Sequence, residues 1–403
     1  MTEERRLVIA PDPVLRVYLT LLATLHALTG IAWLTYKHIA SLASGEDCVC
    51  WPMFPECHRL RPYLSPDLVR GAVAGYILLG LSAAALFWVR RTRPALLAFA
   101  GATLLGAAIY ALDYRLRFNQ TMMFGWVIVV FFATTKRRLE ALQVLVALFY
   151  VWAGLLKLDA EWLSGAALYS KPLFVPAALV PWACRYVVVL ELVMVWGLFS
   201  TRATWRCAAY AQLIVFHAAS WSVVGWFYPL LMGGLTAIYP LVWKLAPERT
   251  LTLARLRAEI DLRRPVAGVV AAFSAFQLVP HLFPGDTALT GEGRLFALHM
   301  FDARTECSGG ATIWGPDGPR ARAALINEHL DARTRCDPIV LLATAQRLCR
   351  GLEAKGDHGR VDVAIDAKRA TAPAMRPLVR VDDLCTRSLR YSVFRHNRWI
   401  AAE

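Results

Sequence analysis

Apolar residues recur along this chain in runs of about 20, the length a helix needs to cross roughly 30 Å of hydrocarbon. Lipid cannot satisfy exposed backbone N–H and C=O groups, so a chain built from such runs must fold them as helices. Composition agrees. Of the 403 residues 57% are hydrophobic and 18% charged, below the roughly 25% charged of soluble domains, and mean hydropathy is +0.43. The expectation is a polytopic α-helical membrane protein whose first partner is the lipid bilayer.

The net charge of +14 raises the question of nucleic acid, and the placement of the basic residues answers it. They cluster between apolar runs, at Arg90-Arg91-Thr92-Arg93, at Lys136-Arg137-Arg138, at Arg202 and Arg206, and from Arg249 through Arg255, Arg257, Arg263 and Arg264. That is the asymmetry of cytoplasmic loops, and no nucleic-acid partner is expected. Arg5 and Arg6 place the N-terminus inside. The polar start MTEERRLVIAPDP, followed by a full-length run, does not read as a cleavable signal peptide.

The pattern predicts about nine spans: Leu15 to Tyr36, Val69 to Val89, Ala95 to Leu112, Met122 to Thr134, Leu139 to Leu158, Val175 to Phe199, Cys207 to Gly225, Trp226 to Leu245 and Val266 to Phe283. With nine crossings every dense basic cluster falls inside and the C-terminal region outside. Pro247 to Pro265 has the spacing of a basic amphipathic inner helix. Character changes after residue 283. Val361 to Asp366 alternates with the period of a strand, Asp337 to Leu352 has a helical period, and Gly315-Pro316-Asp317-Gly318 reads as a turn. The predicted architecture is a helical membrane domain over 1–283 and a small extracytoplasmic α+β domain over 284–403, as in a bacterial inner-membrane protein.

Seven of the nine cysteines then fall outside: Cys48, Cys50, Cys57, Cys307, Cys336, Cys349 and Cys385. An oxidising compartment favours disulfides among them, one of which is expected to tie the first outer loop to the C-terminal domain. The spacing Cys48-x-Cys50 to Cys57-His58 is no standard zinc pattern, and no metal is expected.

One lysine stands out. Lys157 ends the fifth run, flanked by Leu155, Leu156 and Leu158 and followed by Asp159 and Glu161. A lysine there is either an anchor snorkelling to the headgroups or a desolvated amine able to act as a base. Spacing alone favours the anchor. Glu191 is a lone carboxylate within VVVLELVMVW, a functional candidate by default; a hydrogen bond to a neighbouring helix is the equal alternative. His26 reads as a satisfied core histidine. Trp152, Trp162, Trp221 and Trp226 sit near the outer boundary, where tryptophans form interfacial belts.

The run Ala153-Gly154-Leu155-Leu156-Lys157-Leu158-Asp159-Ala160-Glu161-Trp162-Leu163-Ser164-Gly165 resembles a motif of the vitamin K-dependent gamma-carboxylase family, which carries the horizontally transferred transmembrane domain. Asn119-Gln120-Thr121 with Gly125, and Phe216-His217 with Gly225-Trp226-Phe227, are more weakly similar to further family segments, as are Arg335 to Leu352 and Val361 to Val381 of the outer region. The resemblance implies that Lys157 deprotonates a reduced vitamin K or related hydroquinone. Oxygen then converts the hydroquinone anion to a strong base, a glutamate of an exported peptide is carboxylated with CO2, and the quinone leaves as its epoxide. It further implies that Asn119 holds a quinone or intermediate oxygen and that His217 lines the pocket; Gln120 beside Asn119, and Trp162 and Trp221 of the boundary cluster, are the further candidates for the pocket. Two departures stand. Gln120 replaces the family histidine, and an amide cannot shuttle a proton. Leu156 replaces the first lysine of a pair, leaving Lys157 as the one base. Two other functions remain open: a quinone-linked thiol–disulfide protein using Cys48 and Cys50, and a non-catalytic membrane scaffold. The peptide's identity and the oligomeric state are not encoded in any of these patterns.

Overall fold

The computed structural model of the chain describes residues 12–44, 48–168, 171–259, 264–295, 297–298, 305–328, 330 and 332–401. Arg5, Arg6 and Arg263 lie outside these residues. The chain opens with α1 (Pro13–Thr35) and the short α2 (Ile39–Ser44), then α3 (Pro66–Trp88) and α4 (Thr92–Ala111). Next come α5 (Asn119–Ala133), α6 (Arg138–Leu156) and a single turn, α7 (Ala160–Leu163). The helices α8 (Val180–Leu192), α9 (Ala203–Val224), α10 (Phe227–Thr236) and α11 (Ile238–Leu245) follow. Then come α12 (Leu253–Glu259), α13 (Pro265–Leu278) and the short α14 (Thr287–Thr290). The C-terminal region holds β1 (Thr305–Gly315), β2 (Gly318–Ala324), α15 (Ala332–Arg335), α16 (Pro338–Glu353), β3 (Val361–Arg369) and β4 (Arg376–Val381).

Local chemistry sets where the long helices begin. Asp12 caps α1 by accepting from the N–H groups of Val14 and Leu15 at 2.9 and 3.2 Å, and Ser65 caps α3 through Leu68 N–H at 3.1 Å. Each is followed by a proline, whose missing N–H costs nothing in a first turn. Among the described residues, seven helices are long and apolar enough to cross a membrane, α8 and α13 counted with the flanking 3-10 turns that extend them to Ala177–Phe199 and Pro265–Leu282. They account for seven of the nine predicted runs. The fourth run is α5, of 15 residues. The eighth is divided into α10 and α11, of 10 and 8 residues. Pro240 explains the division: it lacks an N–H and crowds the carbonyl four residues back, at Thr236, where α10 ends.

Contacts mark two ends of the bundle. At one, Asp12 pairs with Arg249 at 2.6 Å and Arg137 with Glu259 at 3.4 Å. At the other, Tyr36 Oη accepts from Trp226 N–H at 3.1 Å and Val49 N–H donates to Asp113 at 3.1 Å. The most enclosed helix is α6: 78% of its apolar stretch is buried, against 17% to 61% in the other six. It packs against α5, α8, α11 and α13, and Lys157 closes its C-terminal end.

The C-terminal region forms a four-stranded antiparallel sheet in the order β2-β1-β3-β4. Strand β3 buries Val361, Val363, Ile365 and Ala367 in alternation, the period read from the sequence. Those residues pack with Leu341, Leu342 and Ala345 of α16. Gly318, at φ +130°, opens β2 after the predicted turn.

Three disulfides are present: Cys50–Cys57, Cys307–Cys336 and Cys349–Cys385. Cys48 stands outside these bridges, as an odd set of seven candidates requires of at least one, and Cys50 turns to Cys57 seven residues on. One expectation is corrected here: none of the three joins the loop before α3 to the C-terminal region. That junction is apolar: Val49 and Trp51 of the loop pack with Ile339, Val340 and Val393, and Tyr114 Oη donates to Asp337 at 2.8 Å.

Candidate active site

The site begins with a glycine. A Cβ on Gly154 would lie 2.8 Å from Leu192 Cδ2 and 3.0 Å from Glu191 Cβ, so only glycine lets α6 approach α8 this closely. One turn later Lys157 points into the same gap. Its ammonium forms a short hydrogen-bonded ion pair with Glu191 Oε2, and both residues are 0% exposed. Glu191 Oε1 is buried with no hydrogen-bond partner. Two buried charges of opposite sign on neighbouring helices thus satisfy one another, leaving one carboxylate oxygen over.

After Lys157 the backbone turns. Asp159 accepts from Glu161 N–H at 2.8 Å and starts α7. Trp162 folds back over the lysine, its indole donating to Cys184 O at 2.9 Å. Gly165, at φ +79°, lies where a side chain would meet Val180 Cγ1 at 2.8 Å. The Lys157 ammonium sits 5.5 Å from the Trp162 ring centre and 5.9 Å from that of Phe216.

Trp162 and Phe216 also line a cavity of about 850 Å³ between α8, α9 and the outer region, and Asn119 and Gln120 line it from the start of α5. Lys157 therefore lies against two rings of the cavity wall. His217 is buried behind that wall: its Nε2 is 2.6 Å from Tyr150 Oη, and its Nδ1 has no partner. Trp221, expected in the wall, is 50% exposed and outside the lining. Phe216, Ala219, Ser220 and Val223 share one helical face and line the cavity, and residue 221 falls off that face. His26, as expected, is satisfied, 2.9 Å from Tyr76 Oη.

The C-terminal region reaches this site directly. Arg369, at the end of β3, pairs with both Asp159 and Asp286. Burial works against its charge, and the two carboxylates more than offset it, raising its pKa above the ordinary arginine range. Thr371 donates from N and Oγ1 to Glu161 at 3.1 and 3.2 Å. The turn after β3 therefore grips the turn that follows Lys157.

Sequence reasoning singled out Lys157 and Glu191 separately and missed their pairing. The signal was available: two lone opposite charges in apolar runs have few other partners. It also missed Tyr150, which lies seven residues, two helical turns, before Lys157 on the same face. Cys184 sits in an unremarkable apolar run and carried no signal of its own, and Phe216 stood out only as the neighbour of His217 in the family resemblance. Among the described residues no group of three His, Cys, Asp or Glu side chains could hold a metal.

No family model, curated protein or solved structure matches this chain.

Proposed function

We propose that the chain is an integral membrane enzyme of the vitamin K-dependent gamma-carboxylase type, with Lys157 as the base that deprotonates a reduced quinone. The observation that carries this reading is the fully buried Lys157–Glu191 pair set against the aromatic wall of a large cavity. A snorkelling anchor would extend its amine to water, whereas this one is held in the protein interior. The residues present fit a hydroquinone: an apolar aromatic enclosure, amides at Asn119 and Gln120 for its oxygens, and an amine beside it. When bound, a hydroquinone supplies an acidic hydroxyl and the electrons that reduce oxygen.

The chain's own residues then have distinct tasks. Glu191 holds Lys157 in the gap and is placed to take the proton the amine must lose before acting as a base. Trp162 and Phe216 exclude water from that amine. Tyr150 fixes the orientation of His217 next to the site. In this reading the chain crosses the membrane nine times with its N-terminus cytoplasmic. The cavity and outer domain then face the extracytoplasmic side, where an exported peptide supplies the glutamate and CO2 and O2 are co-substrates.

The test is quinone-epoxide formation and CO2 incorporation by purified protein in a bilayer. Lys157→Ala should abolish both, with a thermal transition that is lowered but still cooperative. Equal turnover by the variant would remove Lys157 as the base.

A further inference from the structure

The mouth of the cavity is more basic than quinol chemistry requires. Lys37, Arg117, Lys171 and Arg335 line it, with Glu306 as the acidic counterpart among the described lining residues. Glu306 is offset by Lys368 at 3.2 Å. Arg335 has Glu328 at 3.2 Å. Arg117 is differently placed: its guanidinium donates to the main-chain carbonyls of Arg294 and Ala297, which cancel none of its charge, and the buried Asp337 acts on it through space only. Its Nε is buried without an acceptor.

The N-terminus of α5 opens at the same place. Phe118 provides no side-chain cap there, Lys37 lies 4.8 Å over the Phe118 ring, and the hydroxyl of Thr121 is buried without a partner. The first-turn N–H groups of a helix carry partial positive charge and favour an anion. Beside these basic residues the lining is apolar, through Leu173, Phe174, Val175, Val187 and Val224. Phe174, before α8, is 80% exposed and Val224, at the end of α9, 46% exposed, so this wall continues onto the protein surface. A cationic head and an apolar trough that opens onto that surface match an anionic amphiphile.

We propose that the cavity mouth binds an anionic phospholipid, its phosphate against Arg117, Lys171 and the N-terminus of α5, and an acyl chain along Phe174, Val187 and Val224. Anionic headgroups are drawn to clustered lysine and arginine at a membrane boundary. The apolar trough favours a lipid over a soluble acid. The proposal concerns the mouth of the cavity read above as a quinol pocket but does not depend on turnover, so either reading can fail alone.

The probe is phosphatidylglycerol, added to protein in phosphatidylcholine nanodiscs. Native mass spectrometry counts retained lipid, and thermal unfolding reads stabilisation. Wild-type protein should retain phosphatidylglycerol about tenfold over phosphatidylcholine, and Arg117→Gln/Lys171→Gln should lose that preference. Arg93→Gln/Arg202→Gln, at the opposite end of the bundle, should keep it. Should the Arg117 variant not fold, Lys171→Gln alone should show a partial loss. Equal retention of the two lipids, or an unchanged preference in the mouth variants, overturns the proposal. So does an equal stabilisation by soluble glycerol phosphate or by a glutamate-rich peptide that is lost in the same variants.

Discussion

Removing one member of the Lys157–Glu191 pair leaves the other charge buried and uncompensated, a loss of about 3–5 kcal/mol in buried pairs generally. Replacing both with apolar groups of similar volume is nearly neutral. Glu191→Leu should therefore lower the thermal transition of the detergent-solubilised protein, and Lys157→Met/Glu191→Leu should recover most of that loss while remaining without quinone turnover. Recovery of stability without activity separates the pair's structural work from its chemistry. A double variant as unstable as the single would show that Glu191 supports the fold through other contacts. Gly154→Ala acts on the same gap from the backbone side. Its Cβ would lie 2.8 Å from Leu192, and overpacking of this kind costs about 1–3 kcal/mol; calorimetry should register it even with both charged residues intact. These residues were legible in the sequence as separate oddities, a glycine, a lysine and a lone glutamate. Their convergence was not, because it depends on which face α8 turns to α6, and an apolar run with no polar side does not reveal its facing.

At the scale of elements, secondary structure was legible wherever period and capping agreed, as in β3, α16 and the long helices. It was less so where proline or a turn intervened, as at Pro240. The docking of the outer region on the site was not legible at all, since Arg369 and Asp159 are 210 residues apart. Three hydrogen-bonding groups hold that dock: the Arg369 guanidinium on Asp159 and Asp286, and the N–H and hydroxyl of Thr371 on Glu161. Arg369→Ala should loosen both turns together. Hydrogen exchange at residues 160–165 and 369–372 should accelerate in the variant, with exchange in the middle of α6 unchanged. Acceleration of only the outer turn would mean that the turn after Lys157 is held by Trp162 and Gly165 rather than by the dock. The disulfides contribute at this scale as well. Cys307–Cys336 and Cys349–Cys385 close loops of 29 and 36 residues, each of order 3–4 kcal/mol in the chain-entropy account, and they staple a sheet too small to rest on its own core.

For the whole molecule, the proposed number of crossings is argued from two sets of contacts at opposite ends. Asp12, Arg137, Arg249 and Glu259 meet at one, and Tyr36, Val49, Asp113 and Trp226 at the other. Among the described residues, seven helical stretches are long and apolar enough to cross a membrane. The 15 residues of α5 rise only about 22 Å, short of a full hydrocarbon width, yet α5 leads from the Asn119 end toward Thr134, three residues before Arg137. Likewise α10 and α11 together lead from Trp226 to Ala246, three residues before Arg249. The proposed nine passes count both, and in that proposal the basic clusters at Arg90, Lys136, Arg202 and Arg249 gather at a single end, assigned to the cytoplasm by charge bias. Cysteine labelling checks this directly in a chain with Cys48 and Cys207 replaced by serine. With a membrane-impermeant maleimide on intact cells, Asp357→Cys in the outer domain should label. Arg93→Cys should label only after the membrane is opened. Labelling of both in intact cells, or of Arg93→Cys alone, would invert the topology and move the Lys157 cavity to the wrong side for an exported substrate.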